Sequence, residues 1–387
     1  MSAARTGRRV AIAGVALSDV GRVDTQTPYA LIAQSSRRAL AEAGLKPQDV
    51  DGFASTSLGT MAPIDVAEYL GILPRWVDST SVGGASWEVM ANHAVDAISQ
   101  GHADVVLLSY GSTARADIKN KLRPANLNWG TRGPIQYEAP YGHTLISKYA
   151  MAARRHMHEY GTTIEQLAEV AVSARANAAD NPEAFYRDPI TVDEVLAGKM
   201  IADPFTKLHC CIRSDGGAAA VLVAEDRIAD LPVEPVWVLG SGEATSHMSM
   251  SQWADFTTGP AVTAGRLAFE RAGVTPEQID VAQVYDAFTY MLLMTMEDLG
   301  FCAKGEGGAF AESGALRLGG ALPTNTDGGG LSACHPGQRG LFLIVEAVRQ
   351  LRGQVPAARQ VPDARLACVS GTGGWFCSNG TMILGRD

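Results

Sequence analysis

The sequence predicts an α/β protein made of two similar halves, and three observations carry that prediction. A stretch near the N-terminus recurs late in the chain, each copy sets a glycine-closed helix before an apolar run, and each continues into a glycine-rich segment, a helix and a buried strand. The repeated stretch is Ala43-Gly44-Leu45-Lys46-Pro47-Gln48-Asp49-Val50-Asp51, which returns as Ala272-Gly273-Val274-Thr275-Pro276-Glu277-Gln278-Ile279-Asp280.

In each copy a helical segment, Tyr29 to Glu42 or Thr263 to Arg271, ends on Gly44 or Gly273, where glycine suits a helix C-cap. Pro47 or Pro276 then opens the next turn. Further on, Gly83-Gly84-Ala85-Ser86, a helix from Trp87 to Gln100 and a strand from Ala103 to Tyr110 match Gly328-Gly329-Gly330, a helix from Gly340 to Leu351 and a strand from Arg365 to Ser370. The two strands run into Gly111-Ser112 and Gly371-Thr372-Gly373-Gly374. This alternation predicts parallel α/β layers, with the active site where strand ends and helix starts of the two halves meet. Val10 to Leu17 reads as a first strand, being too short for a signal-peptide core or a membrane span.

Between the copies, residues 119–206 carry Pro124, Pro134, Pro140 and Pro189 among helical runs from Ile146 to Tyr160 and from Ile164 to Ala178. This segment is expected to be an inserted lid or substrate-binding loop region, or else to cover a sheet edge and help a dimer form. The expected division is residues 1–118 with 207–230 for the first half, 119–206 for the insertion and 231–387 for the second half.

A chain of 387 residues with 46% hydrophobic content can bury one large core or two joined ones. Its 32 basic and 41 acidic residues leave a formal charge of -9, which argues against nucleic acid or anionic lipid as the main partner. Six cysteines without CxxC spacing indicate neither a disulfide framework nor a zinc site, and the cytoplasm is the expected compartment.

Tyr285 closes the run Val281-Ala282-Gln283-Val284 inside Tyr285-Asp286-Ala287-Phe288-Thr289, ahead of an apolar helix from Tyr290 to Leu299. A polar pair at a strand's C-terminal end can hold a reacting oxygen, although a core tyrosine bonded to backbone fits the same pattern. His335 lies in Leu331-Ser332-Ala333-Cys334-His335-Pro336-Gly337, a tight loop before a helix, where an imidazole can move a proton or serve an oxyanion. Cys334 could be a thiolate activated by a helix N-terminus, but adjacent side chains point apart and a Cys–His pair is better made from separate segments. Cys210 and Cys211 are expected to fill the core before the strand Ala218 to Val223. Asp286 and Glu297 could form an acid/base pair, with helix capping as the plainer role. The glycine turns lack the Lys-Ser/Thr of a phosphate loop, and GxGxxG is absent.

Taken together, the duplicated halves, the YDAFT turn at 285–289, the ACHPG loop at 333–337 before EAVRQLRG and the terminal SGTGG at 370–374 resemble the thiolase superfamily, in particular its sterol-carrier-protein thiolase-like branch. The resemblance covers essentially the whole chain. It implies a thiolase fold, in which two duplicated βαβαβαββ halves form a five-layered α-β-α-β-α structure. In true thiolases a nucleophilic cysteine stands at the position matching Ala85, and here no cysteine precedes Cys210. The related HDCF motif reads Tyr285-Asp286-Ala287-Phe288, and only the histidine of the GHP-type loop is kept, as His335. Alanine cannot form an acyl-enzyme, so the ordinary thiolase reaction is disfavoured.

Within that branch the chain is most similar to the steroid side-chain retro-aldolases, which share the Tyr-Asp turn followed by an LGFC segment, here Leu299 to Cys302. Those enzymes split a β-hydroxyacyl-CoA without a covalent intermediate, and carry a second tyrosine at the position matching His335. The resemblance implies a lyase of lipid metabolism acting on a steroid side-chain or other bulky acyl-CoA. Tyr285 and His335 are expected to face each other across the two halves, and N–H groups around Gly371, Gly373 and Gly374 to complete an oxyanion site. A tyrosine near its reference pKa of about 10 is a poor base at neutral pH, which favours His335 as base, whereas the resemblance favours Tyr285. No metal or cofactor is implied beyond the coenzyme A of the substrate. Zinc would belong to a small zinc-ribbon and OB-fold partner, in a heterotetramer built on a homodimer core. The alternatives are an atypical thiolase or acyltransferase using Cys334, and a non-catalytic lipid or acyl-CoA carrier.

Overall fold

The computed structural model describes residues 7–56, 61–122, 133–142 and 144–386; Pro124 lies outside them. Its strands are β1 (Val10–Leu17), β2 (Gly52–Ala54), β3 (Trp76–Asp78), β4 (Val105–Ser112), β5 (Met200–Ala202), β6 (Phe205–Thr206), β7 (Gly216–Ala224), β8 (Val236–Thr245), β9 (Val281–Val284), β10 (Leu366–Gly373) and β11 (Ser378–Gly385). Nine of them form one sheet in the order β3-β2-β4-β7-β1-β8-β11-β10-β9, and β5 pairs with β6 as a separate hairpin.

The repeat reappears as topology. Each half runs strand, helix, a 3-10 turn opened by proline, strand, a second long helix, then two more strands. The first helices, Pro28–Ala43 and Ala261–Ala272, both end on a glycine in the left-handed region, Gly44 (φ 71°) and Gly273 (φ 70°). Glycines also let these helices lie close to their strands. A Cβ on Gly14 of β1 would strike the Ala39 carbonyl, and one on Gly240 or Gly242 of β8 the carbonyls of Ala268 or Ala264. The halves join where β1 meets β8, through Ala11 opposite Trp237 and Ile12 opposite Val236.

The sheet is mixed rather than parallel throughout. β2 is parallel to β3 and β4, and β9 to β10, whereas β7 is antiparallel to β1 and β4, and β11 to β8 and β10. The reason is connection length: only Gly374 to Cys377 join β10 to β11, too few residues for the crossover that a parallel pair requires. In the first half the same connection, from β4 to β7, holds residues 113–215 and thus the whole insertion. Its helices Leu145–Tyr160, Ile164–Ala178 and Val192–Leu196 each start on a threonine N-cap whose hydroxyl accepts a backbone N–H.

The helices Ser86–Ser99 and Gly340–Leu351 touch each other and strands of both halves, so they form a middle layer, and the largest core lies around them. Pro28–Ala43 and Ala261–Ala272 cover the outer faces, each over a smaller core. Five layers result, as the thiolase fold implies. Among the described residues no helix is long and apolar enough to cross a membrane, and no cluster of three or more His, Cys, Asp or Glu could hold a metal ion.

Candidate active site

β9 is held on one side by β10 and on the other by Asn325, whose side chain accepts the Val284 N–H and donates to the Val284 carbonyl. Tyr285 follows at the strand end, its N–H bonded to the Ser370 carbonyl. This placement aims the phenol at the start of the Gly340–Leu351 helix, where the Arg339 N–H donates to its oxygen at 3.1 Å. The Tyr285 oxygen also lies 3.1 Å from Nε2 of His335. Gly84 in the first half packs on the ring, and a Cβ there would collide with it.

His335 and Tyr285 therefore meet, but both come from the second half; they do not face each other across the two halves. The loop from Cys334 to Arg339 folds back over the end of its own half's strand, and the first half supplies its supports. Ser214 Oγ accepts the His335 N–H at 2.9 Å, Tyr110 donates to the Pro336 carbonyl at 2.8 Å, and Trp87 donates to Gln338 at 3.1 Å. The imidazole is half-buried by surface, yet desolvation, reinforced by the Arg339 charge, pulls it down to about 4. Burial raises the Tyr285 phenol well above its ordinary value. Both groups are neutral at neutral pH.

Asp286 turns the other way. Its carboxylate accepts the N–H groups of Gly330 and Leu331 at 2.7 and 3.2 Å and lies 3.7 Å from Arg339 Nε. Burial raises it to about 7 against the pull of Arg339 and these donors. Arg339 in turn grips Asp327 through both carboxylate oxygens at 2.6 Å and donates to the Cys334 carbonyl at 2.8 Å. Asp286, Arg339 and Asp327 thus fix the loop that presents His335. Glu297 is engaged elsewhere, with His156 and Lys304, and makes no pair with Asp286.

Cys334 is buried beside Ser214 Oγ at 3.1 Å, and burial pushes its thiol up to about 12. A thiol held protonated, with Ser214 Oγ and the Asp215 carbonyl as its contacts, is poorly placed as a nucleophile. Cys210 and Cys211 are only partly buried and edge the site: Cys210 pairs with Phe288, and the Cys211 N–H donates to the Ala287 carbonyl. Burial raises the Cys210 thiol to about 12 and the Cys211 thiol further. Ala85 is fully buried in the turn that leads into the Ser86–Ser99 helix.

The terminal glycines lie beside this turn. A Cβ on Gly373 would strike the Val82 carbonyl, one on Gly84 the Thr372 carbonyl, and one on Gly371 the Glu88 carboxyl, while Gly374 holds φ 61°. Tyr149, in the second turn of the Leu145–Tyr160 helix, donates to the Gly374 carbonyl at 2.6 Å, so the segment between β4 and β7 touches the site loop directly. A cleft of about 1020 Å³ opens between that helix, Asp203 and Trp253 to Phe256, and does not include Tyr285 or His335. Arg339, Asp327, Ser214 and Tyr110 were not singled out by the sequence, since their partners lie far along the chain.

A tyrosine–histidine contact with no activated cysteine beside it, on a duplicated five-layer fold, fits a thiolase-like protein. Residues 242–386 match the family described as thiolase C-terminal domain-like. The chain is 34% identical to a steroid side-chain-cleaving aldolase of Thermomonospora curvata, over 97% of this chain and 98% of that one. It is 35% identical to an acetyl-CoA acetyltransferase of Methanothermobacter thermautotrophicus, over 95% and 97%. Among solved structures it superposes on the Ltp2-ChsH2(DUF35) aldolase with a TM-score of 0.89 and 33% identity, over 98% of both chains. The chain belongs to the thiolase superfamily, in the branch of sterol-carrier-protein thiolase-like proteins and side-chain-cleaving aldolases.

Proposed function

We propose that the protein is a retro-aldolase, a carbon–carbon lyase that splits a β-hydroxyacyl-CoA into a ketone or aldehyde and a shorter acyl-CoA. The observation that carries this reading is the Tyr285–His335 hydrogen bond, with the Arg339 N–H on the same phenol oxygen. In the tautomer with the ring proton on Nδ1, Tyr285 donates to His335 Nε2, so its oxygen can take the substrate's β-hydroxyl proton as its own proton passes to that nitrogen. The O–H electron pair becomes the new C=O, the Cα–Cβ bond breaks, and its electrons pass into the thioester enolate. The proton held by the pair returns to Cα, which closes the balance. Backbone N–H groups around Gly371 to Gly374, where β10 ends, serve the enolate oxygen.

The similarity to an aldolase over nearly the whole chain supports this reading, and a bulky, steroid-like acyl group is the substrate class that relative suggests. Residues 119–206 act as the lid, as the Tyr149 contact with Gly374 supports. The likeness to an acetyltransferase favours acyl transfer as the second reading, and the buried Cys334 thiol weighs against it. β3 is an edge strand beside exposed apolar side chains, Met61, Ile64, Tyr69, Leu73 and Val77, which supports a homodimer through that edge. The second component named in the aldolase structure supports a small partner subunit, for which a zinc-ribbon and OB-fold protein is the expectation.

The test is to co-express the chain with its genomic neighbours, purify the complex and assay bulky β-hydroxyacyl-CoAs for carbonyl release. Release of a ketone or aldehyde with a stoichiometric short acyl-CoA supports the reading. Tight binding without turnover would instead mark a carrier.

A further inference from the structure

Glu88 takes no part in the chemistry above. It stands in the first turn of the Ser86–Ser99 helix, is 1% exposed, and no other residue hydrogen-bonds either carboxyl oxygen. Three glycines make room for it: a Cβ on Gly371 of β10 or on Gly340 would run into its carboxyl, and one on Gly380 of β11 into its own Cβ. A buried, unpaired carboxylate is among the costliest groups a core can hold, so its presence asks for a cause.

Its place supplies one. The carboxyl lies beside Gly340, the first residue of a 12-residue helix, yet accepts none of the N–H groups at that N-terminal end. The same end holds the Tyr285 oxygen, through the N–H of Arg339, the residue before Gly340. Two oxygens share one helix terminus.

We propose that Glu88 is a positioning residue kept in its acid form, so that the field of this helix terminus acts on the Tyr285 oxygen alone. The inference rests on Tyr285 as the group that relays the substrate proton. An ionised Glu88 would set a full negative charge at the terminus and oppose the negative character Tyr285 gains as its proton moves to His335; a neutral one fills the space without competing. Burial supports this by pushing the Glu88 carboxyl up to about 8. The groups around it leave that unchanged. β10 and β11 present Gly371 and Gly380, and its own helix presents Asn92, bonded to Glu243 and Ser241. Ahead of the Gly340–Leu351 helix, Arg339 turns its guanidinium to Asp327; further along that helix Glu346 pairs with Arg359; Tyr285 and His335 lie past the Arg339 N–H.

The experiment compares wild type with E88Q and E88M, each purified as the complete complex. Infrared difference spectra between about pH 6 and about pH 9 show, beyond the band that Asp286 gives near 7 in every sample, a second protonated carboxyl band that bleaches in wild type and is missing in both variants. Over the same samples, kcat/KM between about pH 7 and about pH 9 falls about tenfold in wild type, and less than about twofold in a folded variant. A wild-type difference spectrum matched by both variants, or an equal alkaline fall in wild type and variant, overturns the proposal. Full turnover by Y285F would instead remove the Tyr285 relay, whatever the infrared result, so the two failures are told apart.

Discussion

The Tyr285 hydroxyl and His335 Nε2 share a hydrogen bond of 3.1 Å between two groups that their surroundings hold neutral. Burial raises the phenol well above 10 and, with the Arg339 charge, lowers the imidazole to about 4. With the ring proton on Nδ1, the phenol donates to Nε2 and can pass its proton there, which gives the pair its direction.

Removing either end stops the relay. Y285F and H335A each lower kcat by at least about a hundredfold, the lower bound of general acid/base contributions, while far-UV circular dichroism stays unchanged. Steady-state kinetics on the purified complex measure it. Near-normal turnover in both variants would exclude the pair.

The acid limb of the rate profile follows from His335. The neutral imidazole is the competent form, so kcat/KM stays level as pH falls from neutrality and drops only as it passes through about 4. A midpoint near 6.5, the ordinary histidine value, would show that the ring is not desolvated as described.

Asp286 holds the His335 loop rather than the substrate. D286A leaves the Gly330 and Leu331 N–H groups short of a partner, while Arg339 keeps Asp327, and costs about 1 to 3 kcal/mol in urea unfolding. A loss of activity with wild-type stability would mean that Asp286 touches substrate instead.

Glu88 also marks stability. Its carboxyl is held near 8 in the fold against 4.5 when free, so the unfolded chain releases this proton first and the fold loses stability as pH climbs from 4.5 to about 8. E88Q removes that loss. Its melting temperature exceeds that of wild type at about pH 8, and the gap closes toward pH 4.5.

Much of the fold was legible because its signals are local. The helices at Ile164–Ala178 and Gly340–Leu351 and the strands at Val10–Leu17 and Val281–Val284 fall where periodicity and glycine or proline punctuation put them. β8 and β11 were not read as strands: Gly240, Gly242 and Gly380 break the apolar pattern, and they are there so that a helix or the Glu88 side chain can approach. The triple glycine 328–330 matched Gly83 to Ala85 in composition but not in place, since residues 331–339 separate it from the helix that Gly83 to Ala85 adjoin in their own half. Tyr285 and His335 stood out by their turns. Ser214, Asp327 and Arg339 did not, because each acts through a partner that only the folded chain brings near.

The central claim is cleavage without an acyl-enzyme, and one quenched single-turnover reaction with a bulky β-hydroxyacyl-CoA tests it. Intact-mass analysis should show unmodified protein throughout, while carbonyl product and short acyl-CoA appear in equal amounts. An acyl adduct on Cys334 or any other cysteine, formed and lost at the rate of turnover, would contradict it.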